Sequence, residues 1–97
     1  MSTLVLWDVQ IKPGLGQKAE ETFVENLPGT RSFKGCQRID AYRNADDADN
    51  LLLVEYWDSI EDYREYVQWR TETGVLPDFL TMCAQDPVTR SYELMDA

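Results

Sequence analysis

One carboxylate interrupts the most apolar stretch of the sequence, the segment LLLVEYW at positions 51–57. This continuous apolar run predicts a β-strand that is covered on both faces. Because side chains alternate along a strand, Glu55 and Trp57 lie on one face together with Leu53. A buried carboxylate beside an indole is a candidate general base, since burial raises a carboxyl pKa. The alternative is a structural ion pair between this carboxylate and an arginine, for which the candidates are Arg38, Arg43 and Arg90.

Two tyrosines follow this strand on a predicted helix. Ser59, with Asp62 three residues later, predicts the start of that helix. Its core-facing stripe comprises Ile60, Tyr63, Tyr66, Val67 and Arg70. Tyr63 and Tyr66 are neighbours on one helical face, so their hydroxyls are candidates to bind a substrate oxygen. The alternative is that both rings only pack at the seam between helix and sheet.

Large aromatic side chains are the remaining candidates for a binding pocket. Trp57 would form a flat wall that stacks on a substrate, with a core tryptophan as the equally weighted alternative. Trp7, on the predicted first strand, is expected to narrow or fill the pocket. Trp69 and Phe79 are candidates for the wall or lid, with core packing as their alternative.

The order of elements predicts an α+β protein with the ferredoxin-like, split βαβ plan. Strands are expected at 3–11, 36–43, 51–57 and 88–95. Helices are expected at 15–27, ended by Pro28-Gly29, at 59–73, ended by Gly74, and from Leu76-Pro77 up to Asp86-Pro87. Residues 44–50 are expected to form a solvated hairpin turn. The order β-α-β-β-α-(α)-β predicts one antiparallel sheet with both main helices on one face, in a single domain over residues 1–97.

The opposite face of this sheet is predicted to be strongly apolar. Its residues include Leu4, Leu6, Leu52, Val54 and Tyr56. An apolar patch of this size favours a partner, and sheet-to-sheet homodimerisation is the simplest way to cover it.

Charge and cysteine content narrow the possible partners. The net charge of −9 disfavours nucleic acid and anionic membrane surfaces, and no apolar run approaches the length of a membrane span. Cys36 and Cys83 are too few for a disulfide framework, which favours inert thiols in a reducing cytoplasm. Without histidine or ligand-like cysteine spacing, we expect no zinc site and no haem site.

The whole pattern resembles the antibiotic biosynthesis monooxygenase family, within the dimeric α+β barrel superfamily. The resemblance rests on the Lys12-Pro13-Gly14 turn, on the loop ending Lys34-Gly35-Cys36, and above all on residues 53–59 followed by Glu61 and Tyr63. It implies a homodimer with facing sheets and one pocket per subunit between sheet and helices. It further implies oxidation of polycyclic phenols or quinols by molecular oxygen without metal or flavin, with Trp57 in the pocket.

The chain also departs from this family at three positions. Tyr66 stands where members often have a histidine, and Leu53 stands where phenol-oxidising members have an asparagine. Trp7 stands where haem-degrading relatives have an asparagine, and with no histidine in the chain haem degradation is disfavoured.

The sequence therefore predicts a cofactor-free monooxygenase acting on a phenol- or quinol-like aromatic compound. Glu55 and Tyr66 are the predicted catalytic residues. The predicted substrate-binding residues are Trp57, Tyr63, Trp7, Trp69 and Phe79. The alternatives are a non-catalytic dimeric module that binds a small hydrophobic ligand or stabilises an assembly, and an isomerase or decarboxylase on the same scaffold.

Overall fold

A computed structural model describes residues 2–97. The strands are β1 (Thr3–Gln10), β2 (Cys36–Asn44), β3 (Asp47–Trp57) and β4 (Val88–Glu93). The helices are α1 (Gly16–Arg31), α2 (Ile60–Glu72) and α3 (Val75–Leu80). The sheet order is β2-β3-β1-β4, and every neighbouring pair is antiparallel. Each main helix therefore joins two strands that have another strand between them, which confirms the predicted split βαβ plan.

The pairing of β1 with β3 fixes which side chains face the helices. Val5 lies opposite Glu55, and Trp7 lies opposite Leu53. These residues belong to the covered face, on which Val5, Leu53 and Glu55 are each at most 5% exposed. The alternating residues between them are half-buried or exposed in the single chain. The predicted alternation is therefore confirmed, and the sheet has one dry face and one open face.

Helix α1 continues past Pro28 and ends at Arg31, so the prediction that Pro28-Gly29 ends this helix is wrong. Proline removes one backbone donor, which a helix tolerates when packing holds the following turn. Here Thr30 is fully buried, and the Arg70 Nη2 atom donates to the Asn26 carbonyl oxygen at 2.6 Å. A cation at the C-terminal end of a helix also interacts favourably with the helix dipole.

The hairpin between β2 and β3 is tighter than the predicted turn over residues 44–50. Only residues 45 and 46 form the turn, and β3 already begins at Asp47. Backbone pairing continues through these polar residues, with Asn44 opposite Asp47, and Asn44 Nδ2 also donates to Asn50 Oδ1 at 3.0 Å. Asp49 in turn accepts a hydrogen bond from the Gly16 backbone N–H at 3.0 Å, at the start of α1. Polarity alone therefore misplaced the strand boundary.

The start of α2 agrees with the sequence, since the Ser59 Oγ atom accepts a hydrogen bond from the Asp62 N–H at 3.2 Å. Gly74 ends the helical segment with φ +84°, which its lack of a side chain permits.

The other predicted bounds differ in detail. Helix α3 ends at Leu80, well before Asp86-Pro87, and β4 ends at Glu93 instead of residue 95. Ile11 lies outside β1, in an isolated bridge with Cys83. Within residues 2–97, none of the helices combines the length and the apolar character needed to cross a membrane.

Candidate active site

A cavity of about 280 Å³ lies between the sheet and the three helices. This volume is just below the usual range for small-molecule sites, roughly 300–1,000 Å³. Its wall is mainly apolar, and its polar lining residues are Thr22, Asn26, Glu55, Tyr63, Tyr66, Arg70 and Thr89. The lining residues of the sheet are Trp7, Leu53, Glu55 and Thr89, and those of α2 are Tyr63, Tyr66, Val67 and Arg70. Helix α1 contributes Thr22, Phe23, Asn26 and Leu27, and the segment around α3 contributes Val75, Leu76, Phe79 and Leu80.

Glu55 is the only carboxylate in the cavity wall of the described residues, and it is 3% exposed. Burial raises its pKa from the ordinary 4.5 to about 7. A hydrogen bond from Trp57 Nε1 to Glu55 Oε1, at 3.0 Å, opposes this shift but does not cancel it. Near neutral pH both protonation states are therefore populated, as a general base requires.

The predicted alternative for Glu55, an ion pair with an arginine, is wrong for the described residues. Arg38 pairs with Asp40 at 2.7 Å, and Arg43 pairs with Glu20 at 2.8 Å. The third candidate, Arg90, is exposed and lies opposite Leu6, on the open face of the sheet. Sheet register thus separates all three arginines from the carboxylate.

The second carboxyl oxygen of Glu55 is accessible. Oε2 accepts no hydrogen bond from residues 2–97. No fully buried side-chain oxygen or nitrogen among these residues lacks a partner, so Oε2 cannot be fully enclosed. Because Glu55 lines the cavity, Oε2 is available to a ligand there.

Tyr63 lies close enough to Glu55 for the two to interact electrostatically, and both line the cavity. Burial raises the pKa of the Tyr63 hydroxyl well above its ordinary value, and the neighbouring Glu55 and Tyr66 raise it further. The Thr89 side chain opposes the shift only in part. Tyr63 is therefore a neutral phenol at physiological pH and a potential hydrogen-bond donor to a ligand.

Trp57 and Trp69 do not lie in the cavity wall, although both were predicted to bind substrate. Trp57 is 0% exposed and packs its ring on Tyr63 and Tyr66, with centroids 5.8 and 5.1 Å away. Trp57 is therefore a core tryptophan, which was the alternative prediction for this residue. Its indole N–H donates a hydrogen bond to Glu55. Trp69 stacks on Phe33, with centroids 5.3 Å apart, behind the cavity.

Trp7 and Phe79 do line the cavity and form its apolar wall. Their ring centroids are 5.4 Å apart, and Phe79 also stacks on Phe23 at 5.0 Å. Trp7 narrows the cavity without filling it.

Arg70 forms a polar cluster at the other end of α2, and the sequence did not assign it to the site. It is 8% exposed and lines the cavity. Its Nε donates to the Tyr66 hydroxyl at 3.0 Å, and its Nη2 donates to the Asn26 carbonyl and to Thr30 Oγ1 at 2.6 and 3.1 Å. Tyr66 and Thr30 share a further hydrogen bond of 2.6 Å. The Tyr66 hydroxyl, predicted to be catalytic, is thus held by two protein groups.

Space for this guanidinium depends on Gly29. A Cβ atom there would lie 3.2 Å from Arg70 Nη2 and 3.7 Å from the Trp69 ring. The guanidinium stacks on the Trp69 ring, 4.4 Å from its centroid. Gly29 therefore does not end α1, and its lack of a side chain leaves room for Arg70 of α2.

The sequence matches the family model described as antibiotic biosynthesis monooxygenase over residues 4–73. The chain belongs to the antibiotic biosynthesis monooxygenase family. This match extends from β1 to the end of α2 and includes Glu55, Trp57, Tyr63 and Arg70. No curated protein is similar enough in sequence to count as a match.

Solved structures with the same fold are distant in sequence. A conserved protein from Methanosarcina mazei Go1 is 15% identical, with a TM-score of 0.85 over 95% of this chain and 91% of its own. A protein from Mycobacterium tuberculosis is 16% identical, with a TM-score of 0.85 over 100% and 98% of the two chains. A protein described as an antibiotic biosynthesis monooxygenase is 18% identical, with a TM-score of 0.83 over 98% and 99%. At these identities the likeness concerns the fold.

The sequence analysis did not predict that Arg70 and Thr89 line the cavity, for two different reasons. Arg70 was placed on the correct helical stripe, but its burial depends on acceptors in α1, 40 or more residues away. Thr89 lies opposite Trp7 in the pairing of β1 with β4, and only the register brings it to the cavity.

Residues 2–97 contain no cluster of three side chains of the kind that holds a metal ion. Cys36 and Cys83 are free, and burial raises the pKa of both thiols. A raised thiol pKa disfavours the reactive thiolate.

Proposed function

We propose that the protein is a cofactor-independent monooxygenase that oxidises an aromatic phenol or quinol. The observation that carries this proposal is the accessible oxygen of Glu55, a buried carboxyl with a pKa of about 7 in the wall of an apolar cavity. Membership of the antibiotic biosynthesis monooxygenase family supports the type of reaction.

In the proposed reaction, Glu55 removes the proton from the substrate hydroxyl and leaves an electron-rich anion. This anion transfers an electron to O₂, and the resulting radical pair forms a C–O bond. The ring peroxide then takes up the proton and loses water, which leaves a carbonyl at the attacked carbon. A phenol and one O₂ thus give one quinone and one water, and the substrate supplies all the electrons.

The remaining cavity residues have supporting roles in this proposal. The neutral hydroxyl of Tyr63 donates a hydrogen bond to the substrate oxygen as negative charge develops on it. Trp7 and Phe79 hold the ring and exclude water, which keeps the reactive anion from side reactions. Trp57 positions Glu55 through the indole N–H.

We also propose that the working form is a homodimer joined through the open sheet face. On this face Tyr56, Tyr92 and Tyr42 are 36%, 46% and 54% exposed, and Leu6 and Val54 are paired between them. A stable dimer would bury on the order of 800 Å² per subunit. The two free cysteines favour a reducing compartment such as the cytoplasm.

Sedimentation tests the dimer with a matched pair of variants. Val54→Asp places a charge in the centre of the face and should give a monomer at micromolar concentration. Val24→Asp, at an exposed position of α1, should remain dimeric. A monomeric wild-type protein contradicts the proposal.

Oxygen consumption tests the enzymatic proposal. Wild-type protein is incubated with a panel of dihydroxynaphthalenes and anthrones, without added metal, flavin or nicotinamide and with a chelator present. Glu55→Gln should lower turnover by roughly 10²-fold or more, since it removes the base while keeping the side-chain shape. Glu25→Gln, at an exposed position of α1, should retain wild-type turnover.

The second candidate function is a non-catalytic dimeric module that binds a small aromatic ligand. The engagement of the Tyr66 hydroxyl by Thr30 and Arg70 favours it, because one of the two predicted catalytic groups is held by the protein. Binding of the panel compounds without any oxygen consumption would select this function and reject the monooxygenase.

A further inference from the structure

Arg70 is a buried cation with no anionic partner in the described residues. Its side chain is 8% exposed, and no carboxylate of residues 2–97 lies within salt-bridge distance of it. Its hydrogen-bond partners, the Asn26 carbonyl, Thr30 and Tyr66, are all neutral. A guanidinium does not lose its proton in proteins, so the positive charge persists beside the cavity.

Part of this guanidinium is free to bind a ligand. Nε and Nη2 make the three hydrogen bonds, whereas Nη1 donates to no group in residues 2–97. Because no fully buried side-chain nitrogen among these residues lacks a partner, Nη1 is accessible. Arg70 lines the cavity, so a ligand bound there lies beside this side chain.

The cavity therefore has two different polar ends. Tyr63 and Arg70 are seven residues apart on α2, which separates their Cα atoms by about 10 Å along the helix axis. Glu55 lies at the Tyr63 end, and Tyr66 and Thr30 lie at the Arg70 end. Apolar side chains, including Phe79 and Val67, line the same cavity.

We infer that the ligand of this cavity is an aromatic hydroxy acid, whose carboxylate pairs with Arg70 while its hydroxyl reaches Glu55 and Tyr63. This inference rests on the proposed function, because it takes the cavity to be the functional site. A carboxylate at Arg70 gains a charge-assisted hydrogen bond and supplies the missing counter-charge. The net charge of −9 repels anions at long range, so selection for an anion depends on this local contact.

A pair of probes that differ only in charge tests this inference on the intact protein. 6-Hydroxy-2-naphthoate and the neutral 6-hydroxy-2-naphthamide have the same ring and the same hydroxyl. In calorimetric titration, wild-type protein should bind the naphthoate at least about tenfold more tightly than the naphthamide. A difference of this size is expected for a hydrogen bond between charged groups.

Variants of two arginines on α2 localise the effect. Arg70→Gln should remove the preference for the naphthoate while retaining binding of the amide. Arg64→Gln, the matched control, removes the same charge from an exposed position and should retain the preference. The probe comparison on wild-type protein stands even if Arg70→Gln does not fold.

Each outcome of these titrations decides the inference. Equal affinity of wild-type protein for the two probes overturns it, as does absence of naphthoate binding at millimolar concentration. A preference that persists in a folded Arg70→Gln variant also overturns it. A preference for the naphthoate without oxygen consumption by any phenol supports the anion site and rejects only the monooxygenase. Turnover of neutral phenols without a preference for the naphthoate supports the monooxygenase and rejects only the anion site.

Discussion

Each end of the cavity contains one buried charged residue, Glu55 or Arg70. The two side chains differ in how the protein offsets the free-energy cost of burying a charge. Glu55 accepts one hydrogen bond, from Trp57, and its pKa rises to about 7. Arg70 makes three hydrogen bonds and stacks on Trp69. A carboxylate can become neutral when it is desolvated, whereas a guanidinium cannot and must be surrounded by acceptors.

This difference separates a group that can exchange a proton from a group that supplies a fixed charge. Glu55 has few partners and an accessible oxygen, which suits proton transfer. Arg70 has a dense set of partners that joins α1 to α2, which suits a fixed position. Variants at the two ends should therefore differ in which property they change, stability or pH dependence.

The largest expected effect concerns Glu55 and the pH dependence of stability. The pKa of the Glu55 carboxyl is about 4.5 in the unfolded chain and about 7 in the folded protein. The folded protein therefore holds this proton more tightly, which stabilises it fully below about pH 4.5. This stabilisation is lost as the pH rises from about 4.5 to about 7. At about 1.4 kcal/mol per pKa unit, the loss is about 3 kcal/mol. Glu55→Gln should therefore be less sensitive to pH than wild type and more stable than it at pH 8, by urea denaturation.

The exposed Glu25→Gln variant is the control for this measurement and should follow the wild-type pH dependence. A constant difference in stability between wild type and Glu55→Gln from pH 4 to pH 8 would show that Glu55 titrates normally. The two ends of the cavity would then not differ in the way described.

The next effect concerns stability at the other end of the cavity. Arg70→Met removes the donor from the Asn26 carbonyl, from Thr30 and from Tyr66, at about 1 kcal/mol for each lost hydrogen bond. We expect a loss of about 2–3 kcal/mol in the free energy of unfolding at every pH between 5 and 8. Arg64→Met, at an exposed position of the same helix, should change stability by less than about 0.5 kcal/mol.

Wild-type stability in Arg70→Met would contradict this expectation. Desolvation of the buried charge would then cancel its hydrogen bonds, as occurs for some buried ion pairs that are replaced by apolar residues.

The sequence was sufficient to predict the sheet, its two faces and the position of Glu55. Alternation over residues 51–57 places Glu55 and Trp57 on one face, and the observed register with β1 agrees. The Ser59 cap was also visible, because capping depends on residues three positions apart. Such features are local, so neighbouring residues determine them.

The features that the sequence missed depend on distant residues. Trp57 was on the correct face, but only the positions of Tyr63 and Tyr66 show that its ring lies behind the cavity wall. Arg70 was on the correct stripe, but its burial depends on acceptors in the last turns of α1. Periodicity identifies a face of a helix, and it does not reveal which groups the neighbouring helix offers.

The smallest expected effect compares the two tyrosines, one at each end of the cavity. Tyr66→Phe removes the hydroxyl that bonds Thr30 at 2.6 Å and accepts from Arg70 at 3.0 Å. At about 1 kcal/mol for each hydrogen bond, it should cost about 2 kcal/mol of stability. Tyr63→Phe removes the hydroxyl that we propose donates to the substrate, so it should change stability by less while lowering turnover or phenol affinity. Thermal or urea denaturation and oxygen consumption, measured for both variants, give the comparison. If Tyr63→Phe is the more destabilised and Tyr66→Phe the less active, the roles of the two ends are reversed and Tyr66 belongs to the catalytic machinery after all.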